Sequence, residues 1–429
     1  MRRRVAITGV GVVSPLGNDV ATTWQNLLNG RSGVDKIRDF PTDKLRSDIA
    51  ASVRDFDAER FLSPKEVEIY GRVTHFSVAA AAEALAQAGL APVHDPAASD
   101  DEAASEGVPT TDRARFRYGC LMSTGMGSVD IFEEQIARSA ARGPRAVSPF
   151  FIPGVMPNSA TAVISIRYGL MGPSYSLASA CTTGTHSIAT SALMIESGDA
   201  DIMVAGGAEA ATRLNTVAGF GNARALARAV DGDPTRASRP FDRTRHGFVM
   251  SEGAGALVLE EEQHALRRGA RPLAYVTGFG MTTDATHLTR PETNGAGLAM
   301  ALTRALERAE LQPALVGYIN PHATSTPQGD AAEVLALRQV FGERLSQIPI
   351  SATKSMLGHM LGGAGAVETI AVVCSLRDQE LHPSINLDEL DPAFSLEVVR
   401  TRRPVDLRYA VKLSAGFGGH NCALVLERA

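Results

Sequence analysis

Short apolar runs alternate along this chain with longer Ala- and Leu-rich stretches. Val5–Thr8, Ile202–Ala205 and Ala256–Leu259 are mostly apolar runs of strand length, the second ending at Gly206-Gly207. Runs this short, with no polar alternation, predict strands buried on both faces. Val73–Ala88 reads as a helix, with four alanines at 79–82 allowing close packing and Gly89 as its stop. A β-type run at Tyr175–Leu177 precedes a helix predicted over His186–Ser197. Leu315–Ile319 predicts a further strand, and Cys422–Leu426 the last one. Alternation of this kind predicts layered α/β architecture.

One pattern occurs twice. Val5-Ala-Ile-Thr-Gly-Val-Gly11 resembles Ala274-Tyr-Val-Thr-Gly-Phe-Gly280, each a strand running into Thr-Gly-x-Gly. The echo suggests a duplication, with halves at 1–268 and 269–429. Residues 91–114 break the alternation: they are acidic and rich in Pro, Ala and Ser, with too little apolar content to pack, and predict an exposed, mobile loop.

Composition narrows the class. The chain has 429 residues, 44% hydrophobic and 21% charged, ordinary values for a soluble enzyme. A net charge of −5 gives a nucleic-acid role no support. No apolar stretch reaches the ~18 residues a membrane span needs, and Met1-Arg-Arg-Arg enters a strand at once, unlike a signal peptide. Cys120, Cys181, Cys374 and Cys422 are widely spaced, with no Cys-x-x-Cys pair. That spacing argues against structural zinc and a disulfide framework and suits a reducing cytoplasm.

Candidate chemistry gathers in four motifs. Cys181 lies in Ser179-Ala-Cys-Thr-Thr-Gly184, between the predicted strand and helix. A thiol near a helix N-terminus is favoured as thiolate, the nucleophilic form. His322 lies in Asn320-Pro-His-Ala-Thr-Ser-Thr-Pro-Gln-Gly-Asp330, just beyond a predicted strand end, where α/β folds place reactive groups. Thr324 and Thr326 alternate beside it and suit an extended ligand, while Asp330 and Glu333 open the next helix, where negative charge is favourable. Lys354 and His359 flank a turn in a glycine-rich stretch, and Glu368 falls on the helix after it. Ser414-Ala-Gly-Phe-Gly-Gly-His-Asn421 forms a loop whose amides could serve an oxyanion. Gly9-Val-Gly11 with Gly17 is not a dinucleotide fingerprint, Lys354-Ser355 precedes its glycines and so is no phosphate loop, and no Gly-x-Ser-x-Gly elbow occurs. Cys181, His322 and His359 are zinc-ligand types, but no metal is expected.

Together these motifs, in this order over nearly the whole chain, resemble the condensing enzymes of the β-ketoacyl-acyl-carrier-protein synthase I/II group. The resemblance implies a thiolase-like α/β fold, two similar halves forming a five-layer αβαβα core, with Cys181 in the first half and both histidines and the lysine in the second. It implies a homodimer, with Phe151 a candidate contact and a heterodimer with a chain-length factor as the alternative, no cofactor, and substrates carried on the phosphopantetheine of an acyl carrier protein. Catalytic roles fall to Cys181, His322, His359 and Lys354, the lysine orienting the site with Glu333. The amides of Cys181 and Phe417 would hold an oxyanion, with Phe417 also a gate. Met126, Phe220 and Ala415 would line an acyl pocket, and Thr324 and Thr326 would contact the pantetheine arm. Asp330, Glu333 and Glu368 are supporting residues. Lys65, Arg145 and Arg224 match basic carrier-docking positions. The implied reaction is decarboxylative condensation of a malonyl-carrier with an acyl chain on Cys181 in fatty-acid elongation. The alternative is the same chemistry in a type II polyketide or aryl-polyene pathway with a dedicated carrier.

Relatives separate on the same residues. Thiolases need a second catalytic cysteine, and neither Cys374 nor Cys422 has that setting. A non-catalytic partner subunit, such as a chain-length factor, lacks the cysteine retained here. The chain also departs from the pattern. Asn320-Pro-His-Ala323 stands where Asn-Ala-His-Gly is common, and Ala415 replaces a phenylalanine in the last loop. The smaller residue predicts altered acyl selectivity or easier gating. Glu66, Glu68 and Ile69 stand beside Lys65 where more positive charge is typical.

Overall fold

The computed structural model describes residues 2–93 and 112–429. The polar stretch 91–114 therefore falls largely outside the described residues. A ten-stranded sheet organises the rest. Its strands are β1 (Val5–Val13), β2 (Tyr118–Thr124), β3 (Ile202–Glu209), β4 (Gly253–Glu261) and β5 (Ala274–Thr283), then β6 (Tyr318–Asn320), β7 (Pro349–Ile350), β8 (Glu397–Val398), β9 (Tyr409–Gly416) and β10 (His420–Arg428). Across the sheet they run β8-β7-β6-β9-β10-β5-β1-β4-β3-β2. The two central strands pair antiparallel only over Val5–Ile7 against Ala274–Val276. Outward from that short seam both sides repeat one pattern. β1 pairs antiparallel with β4, β4 antiparallel with β3, and β3 parallel with β2. β5 pairs antiparallel with β10, β10 antiparallel with β9, and β9 parallel with β6.

Strand alternation sorts side chains into layers. Leu257 and Leu259 of β4, with Leu424 and Leu426 of β10, face a central core. That core is filled by α3 (Thr183–Ser197), through Ile188 and Ala192, and α6 (Ala364–Asp378), through Val367, Ile370 and Cys374. On the opposite face of the first half, Val204 and Val258 pack against α1 (Arg72–Gln87) and α2 (Ser159–Tyr168). In the second half, Val411, Ala423 and Val425 pack against α4 (Ala296–Arg308) and α5 (Pro327–Phe341). Helix, sheet, helix, sheet, helix is the five-layer order expected from the sequence. The repeated Thr-Gly-x-Gly has a packing cause. A Cβ on Gly9 or Gly11 would stand 2.0 Å from the carbonyl oxygens of Ala84 and Ala80 of α1, and one on Gly278 or Gly280 would stand 2.1 and 2.0 Å from those of Ala305 and Ala301 of α4. Each half thus lays an alanine-faced helix directly on its first strand.

Several boundaries differ from the sequence reading: the strand expected at Leu315–Ile319 is Tyr318–Asn320, because Pro313–Leu315 forms a 3-10 turn. β3 continues through Gly206-Gly207 to Glu209. α3 begins at Thr183, three residues before His186. Tyr175–Leu177 is not a strand: Ser174 makes a single bridge to Cys120, and the Leu177 amide bonds the Ser123 hydroxyl at 3.2 Å instead of a neighbouring carbonyl. Among the described residues no helix is long and apolar enough to cross a membrane.

Candidate active site

The turn Ala180–Thr182 presents Cys181 immediately before α3. Three side-chain bonds fix that turn. The Thr183 hydroxyl donates to the Ala180 carbonyl at 2.8 Å and accepts from the Ser179 amide at 2.9 Å, and the Thr182 hydroxyl donates to the His420 carbonyl at 3.0 Å. Ala180 is held at φ 51°, a left-handed conformation unusual for a residue with a Cβ. Ala323 at 40°, Ser325 at 72° and Leu361 at 46° share that region beside the histidines. Such conformations cost on the order of 1–3 kcal/mol each and persist where surrounding bonds over-determine them.

Those bonds come from buried carboxylates. Glu333 of α5 accepts the amides of His322 at 2.5 Å and Ala323 at 2.7 Å. Asp330 accepts the amides of Ser325 at 3.0 Å and Phe241 at 2.9 Å, with Arg245 3.5 Å away. Burial raises Asp330 to about 6 and Glu333 to about 7. Both residues therefore hold the backbone of the histidine loop, beyond the mild helix-start role their spacing suggested.

Lys354, in the short helix Lys354–Leu357, is buried and lies against the same loop. Its Nζ donates to the His322 carbonyl at 2.5 Å and to Glu368 Oε1 at 2.5 Å, and stands 3.5 Å from His322 Nδ1. The carboxylate partner of Lys354 is thus Glu368 of α6; the pairing with Glu333 expected from the sequence does not form, because Glu333 is occupied by two amides. An ammonium facing Nδ1 leaves the His322 ring proton on Nε2.

His359 follows that short helix. Its backbone is fixed by Val249 and Ser251, at 2.8 and 3.1 Å, and neither ring nitrogen has a hydrogen-bond partner among the described residues. The ring sits edge-on to His322 and to Phe248, with centroids 5.3 Å apart in each case. Burial first, then the charge of Lys354, holds both histidines well below the ordinary 6.5, so both are neutral.

Cys181, both histidines, Phe220, Ala415 and Phe417 line one cavity of about 490 Å3, a size suited to a small-molecule ligand. Thr324 and Thr326 line it too, their hydroxyls 3.0 Å apart, and exposed Arg224 stands at its rim. Phe417, between β9 and β10, is tilted against Phe220 at 6.2 Å and remains 37% exposed. The amides of Phe417 and Cys181 both face the Cys181 sulfur. The sequence reading of a favoured thiolate is corrected here: burial pushes the Cys181 thiol up to about 12, against Lys354 and those amides, which pull it down. Desolvation in this apolar wall outweighs the helix end.

Other expected residues lie apart. Met126 is 45% exposed and does not line the cavity; its amide is drawn inward to Glu209 at 3.2 Å, which turns its side chain out. Lys65 and Arg145 are exposed and also outside the lining. Beside Lys65, Glu66 is structural: it completes a capping box with Ser63 and pairs with Arg167 at 2.7 Å. Phe151 packs on Phe132 at 6.0 Å in a surface that also exposes Phe150, Ile152 and Met156.

Glu209 and Lys412, both buried near the site, were not singled out in the sequence. Glu209, at the end of β3, accepts from the Thr124 hydroxyl and the Gly125, Met126 and Gly362 amides at 2.9–3.2 Å, and burial raises it to about 7. Lys412, in β9, is wholly buried with its Nζ 2.9 Å from Glu368 Oε2. Its signal was a lysine in mid-strand between Val411 and Leu413.

The five-layer fold and a thiol, two neutral histidines and an oxyanion-type amide pair on one cavity define a thiolase-like condensing enzyme, an acyl-transferring class. Residues 2–265 match the beta-ketoacyl synthase N-terminal domain and residues 273–388 the beta-ketoacyl synthase C-terminal domain. The chain belongs to the beta-ketoacyl synthase family. It is 42% identical over 429 residues to 3-oxoacyl-[acyl-carrier-protein] synthase 2 of Vibrio harveyi, covering 100% of this chain and 99% of that one. It is 39% identical over 427 residues to the protein of the same name from Staphylococcus aureus strain N315, covering 99% and 98%. Among solved structures, a beta-ketoacyl synthase from Burkholderia phymatum STM815 superposes with a TM-score of 0.86 at 33% identity, with both chains fully covered. A type II polyketide ketosynthase solved with its acyl-carrier protein gives 0.88 at 29%, again with full coverage.

Proposed function

We propose that the protein lengthens acyl chains in fatty-acid elongation by condensing a malonyl-carrier with an acyl group on Cys181. The observation that carries this reading is the convergence of Cys181, His322 and His359 on one cavity. In the first half-reaction the Cys181 sulfur attacks the thioester carbonyl of an acyl carrier, and its proton passes to the departing pantetheine sulfur. The Cys181 and Phe417 amides receive the transient oxyanion. Desolvation shifts the half-buried Cys181 toward its thiol form, so loss of the proton accompanies attack. In the second, the malonyl-carrier binds along Thr324 and Thr326 and its terminal C–C bond breaks, releasing CO2. The negative charge that develops on the thioester oxygen is received by the Nε2–H of His322 and by His359. The resulting carbon attacks the acyl-Cys181 carbonyl, the C–S bond breaks, and Cys181 regains a proton. Neutral histidines suit this step, since each can donate an N–H to the developing enolate oxygen.

The acyl carrier protein is the proposed partner, with Arg224 at the rim and Lys65 and Arg145 on the outer surface as its basic contacts. The exposed apolar face around Phe151 supports a homodimer. The matching strand order on either side of the β1–β5 seam supports two halves, 1–268 and 269–429. Four free cysteines suit a reducing cytoplasm. One observation favours the polyketide or aryl-polyene alternative: Ala415 widens the wall beside Phe417. A condensation assay with malonyl-carrier and acyl-carriers of graded length tests the reading. Native protein should release CO2 and β-ketoacyl product in step, and Cys181→Ala should form no product; product from Cys181→Ala would refute it.

A further inference from the structure

Lys412 has no contact with the cavity, yet it is one of the largest side chains in the protein with no exposure at all. A buried ammonium is costly unless it is paired and bonded. Here it is both. Its Nζ lies 2.9 Å from Glu368 Oε2 and 3.1 Å from the Ser414 hydroxyl, and it donates to the Leu413 carbonyl. The other oxygen of Glu368 holds Lys354 at 2.5 Å, and Lys354 in turn holds the His322 carbonyl. One carboxylate is thus divided between two lysines, one oxygen to each. β9, which carries Lys412, continues through Ala415 to the Phe417 loop, and Ser414 also bonds Thr185 of α3 at 2.7 Å. Lys412 therefore joins α6, behind the histidines, to the strand that carries the cavity wall.

We propose that Lys412 is a second positioning lysine of this centre: it holds Glu368 in place for Lys354, and its charge acts with that of Lys354 on the two histidines during decarboxylation. The proposal rests on the condensing reaction described above. With all three groups ionised the Lys354–Glu368–Lys412 cluster carries one net positive charge, with burial working against the charge on Lys412 and Glu368 supporting it; without Lys412 the ionised pair is neutral. The other titratable or charged groups around the histidines are Glu333 and Asp330 of α5, the latter paired with Arg245, the Cys181 thiol, and, lining the same cavity, Arg224, His246, Asp284 and Arg290. Lys412 lowers both histidines, so removing it raises them, and they become protonated at a higher pH than in the native protein. Glu368 opposes both lysines, so its removal acts in the other direction.

The test compares full-length native protein with Lys412→Met, which keeps length and removes charge. Native turnover is recorded first, so that failure of the condensing reading is seen separately. The readouts are Cys181 acylation, decarboxylation of malonyl-carrier, and kcat against pH. Decarboxylation should fall on the order of tenfold while acylation changes much less. The acid limb of kcat should move up by roughly half a pH unit or more, and Glu368→Gln should move it down. A native protein that condenses, beside a Lys412→Met protein with an unmoved acid limb, would overturn the proposal. Lys412→Gln serves as the second variant; if neither variant folds, Lys412 belongs to the core alone and the proposal falls.

Discussion

Lys354 meets His322 chiefly through the peptide backbone: its Nζ lies 2.5 Å from the His322 carbonyl oxygen and 3.5 Å from the ring Nδ1. On the other side of the same peptide unit, Glu333 takes the Ala323 amide at 2.7 Å, and it also takes the His322 amide of the preceding unit at 2.5 Å. A lysine on the carbonyl and a carboxyl group on the flanking amides fix the backbone of this residue. Lys354→Met should therefore lower condensation about 100-fold or more while Cys181 is still acylated. Equal loss of both half-reactions would show that Lys354 serves folding or the thiol instead.

Both histidines should remain neutral well into the acid range. Their values lie below the ordinary 6.5, so as pH falls they take up a proton later than an exposed histidine does. Ring 15N shifts of labelled protein, assigned with His322→Asn and His359→Asn, check this directly. Both rings should show the neutral pattern at pH 6. A midpoint near 6.5 for either would contradict the electrostatic account.

Ala415 should set acyl selectivity. It lines the cavity next to Phe417, and a phenylalanine there would occupy volume now open. Ala415→Phe should lower kcat/KM for long acyl chains and leave short ones little changed, measured as Cys181 acylation across a length series. Equal rates for both proteins at every length would remove Ala415 from the selectivity argument.

Glu209 should matter for stability more than for chemistry. All four of its hydrogen bonds are accepted, two on each oxygen. Glu209→Gln replaces one acceptor by an NH2 facing two donors and should cost about 1–3 kcal/mol. The sign with pH is also fixed. Its folded value, about 7, lies above the ordinary 4.5, so the native state keeps a proton that the unfolded chain has lost. Its contribution to stability therefore falls as pH rises from 4.5 through 7. Denaturant melts of native and Glu209→Gln protein should differ in that slope.

Carrier docking should depend on Arg224. Arg224→Glu should raise KM for an acidic carrier several-fold with kcat unchanged, and added salt should shrink the difference. An unchanged KM would move the docking surface elsewhere.

Much of this centre was legible in the sequence because each reactive side chain sits in its own short motif of glycines and small polar residues. The Thr-Gly-x-Gly echo was legible for a packing reason, since its glycines lie directly under Ala80, Ala84, Ala301 and Ala305. What could not be read was pairing across layers. Glu368 belongs to Lys354 because α6 crosses behind the histidine loop, whereas the family resemblance implied Glu333, which is taken by backbone amides. Lys412 and Glu209 were missed because each stands alone in an apolar strand, and only the fold supplies the partners. The thiol's direction of shift was missed because helix position is local, while burial is a property of the assembled cavity.

The measurement that tests the central claim most directly is intact-protein and peptide mass spectrometry of the native chain. The protein is first incubated with acyl-carriers of graded length, then given malonyl-carrier. The account predicts one acyl adduct, located on the Cys181 peptide, that clears on malonyl addition as β-ketoacyl-carrier appears. An adduct on another residue, or one on Cys181 that persists without product while malonyl-carrier is consumed, would contradict it.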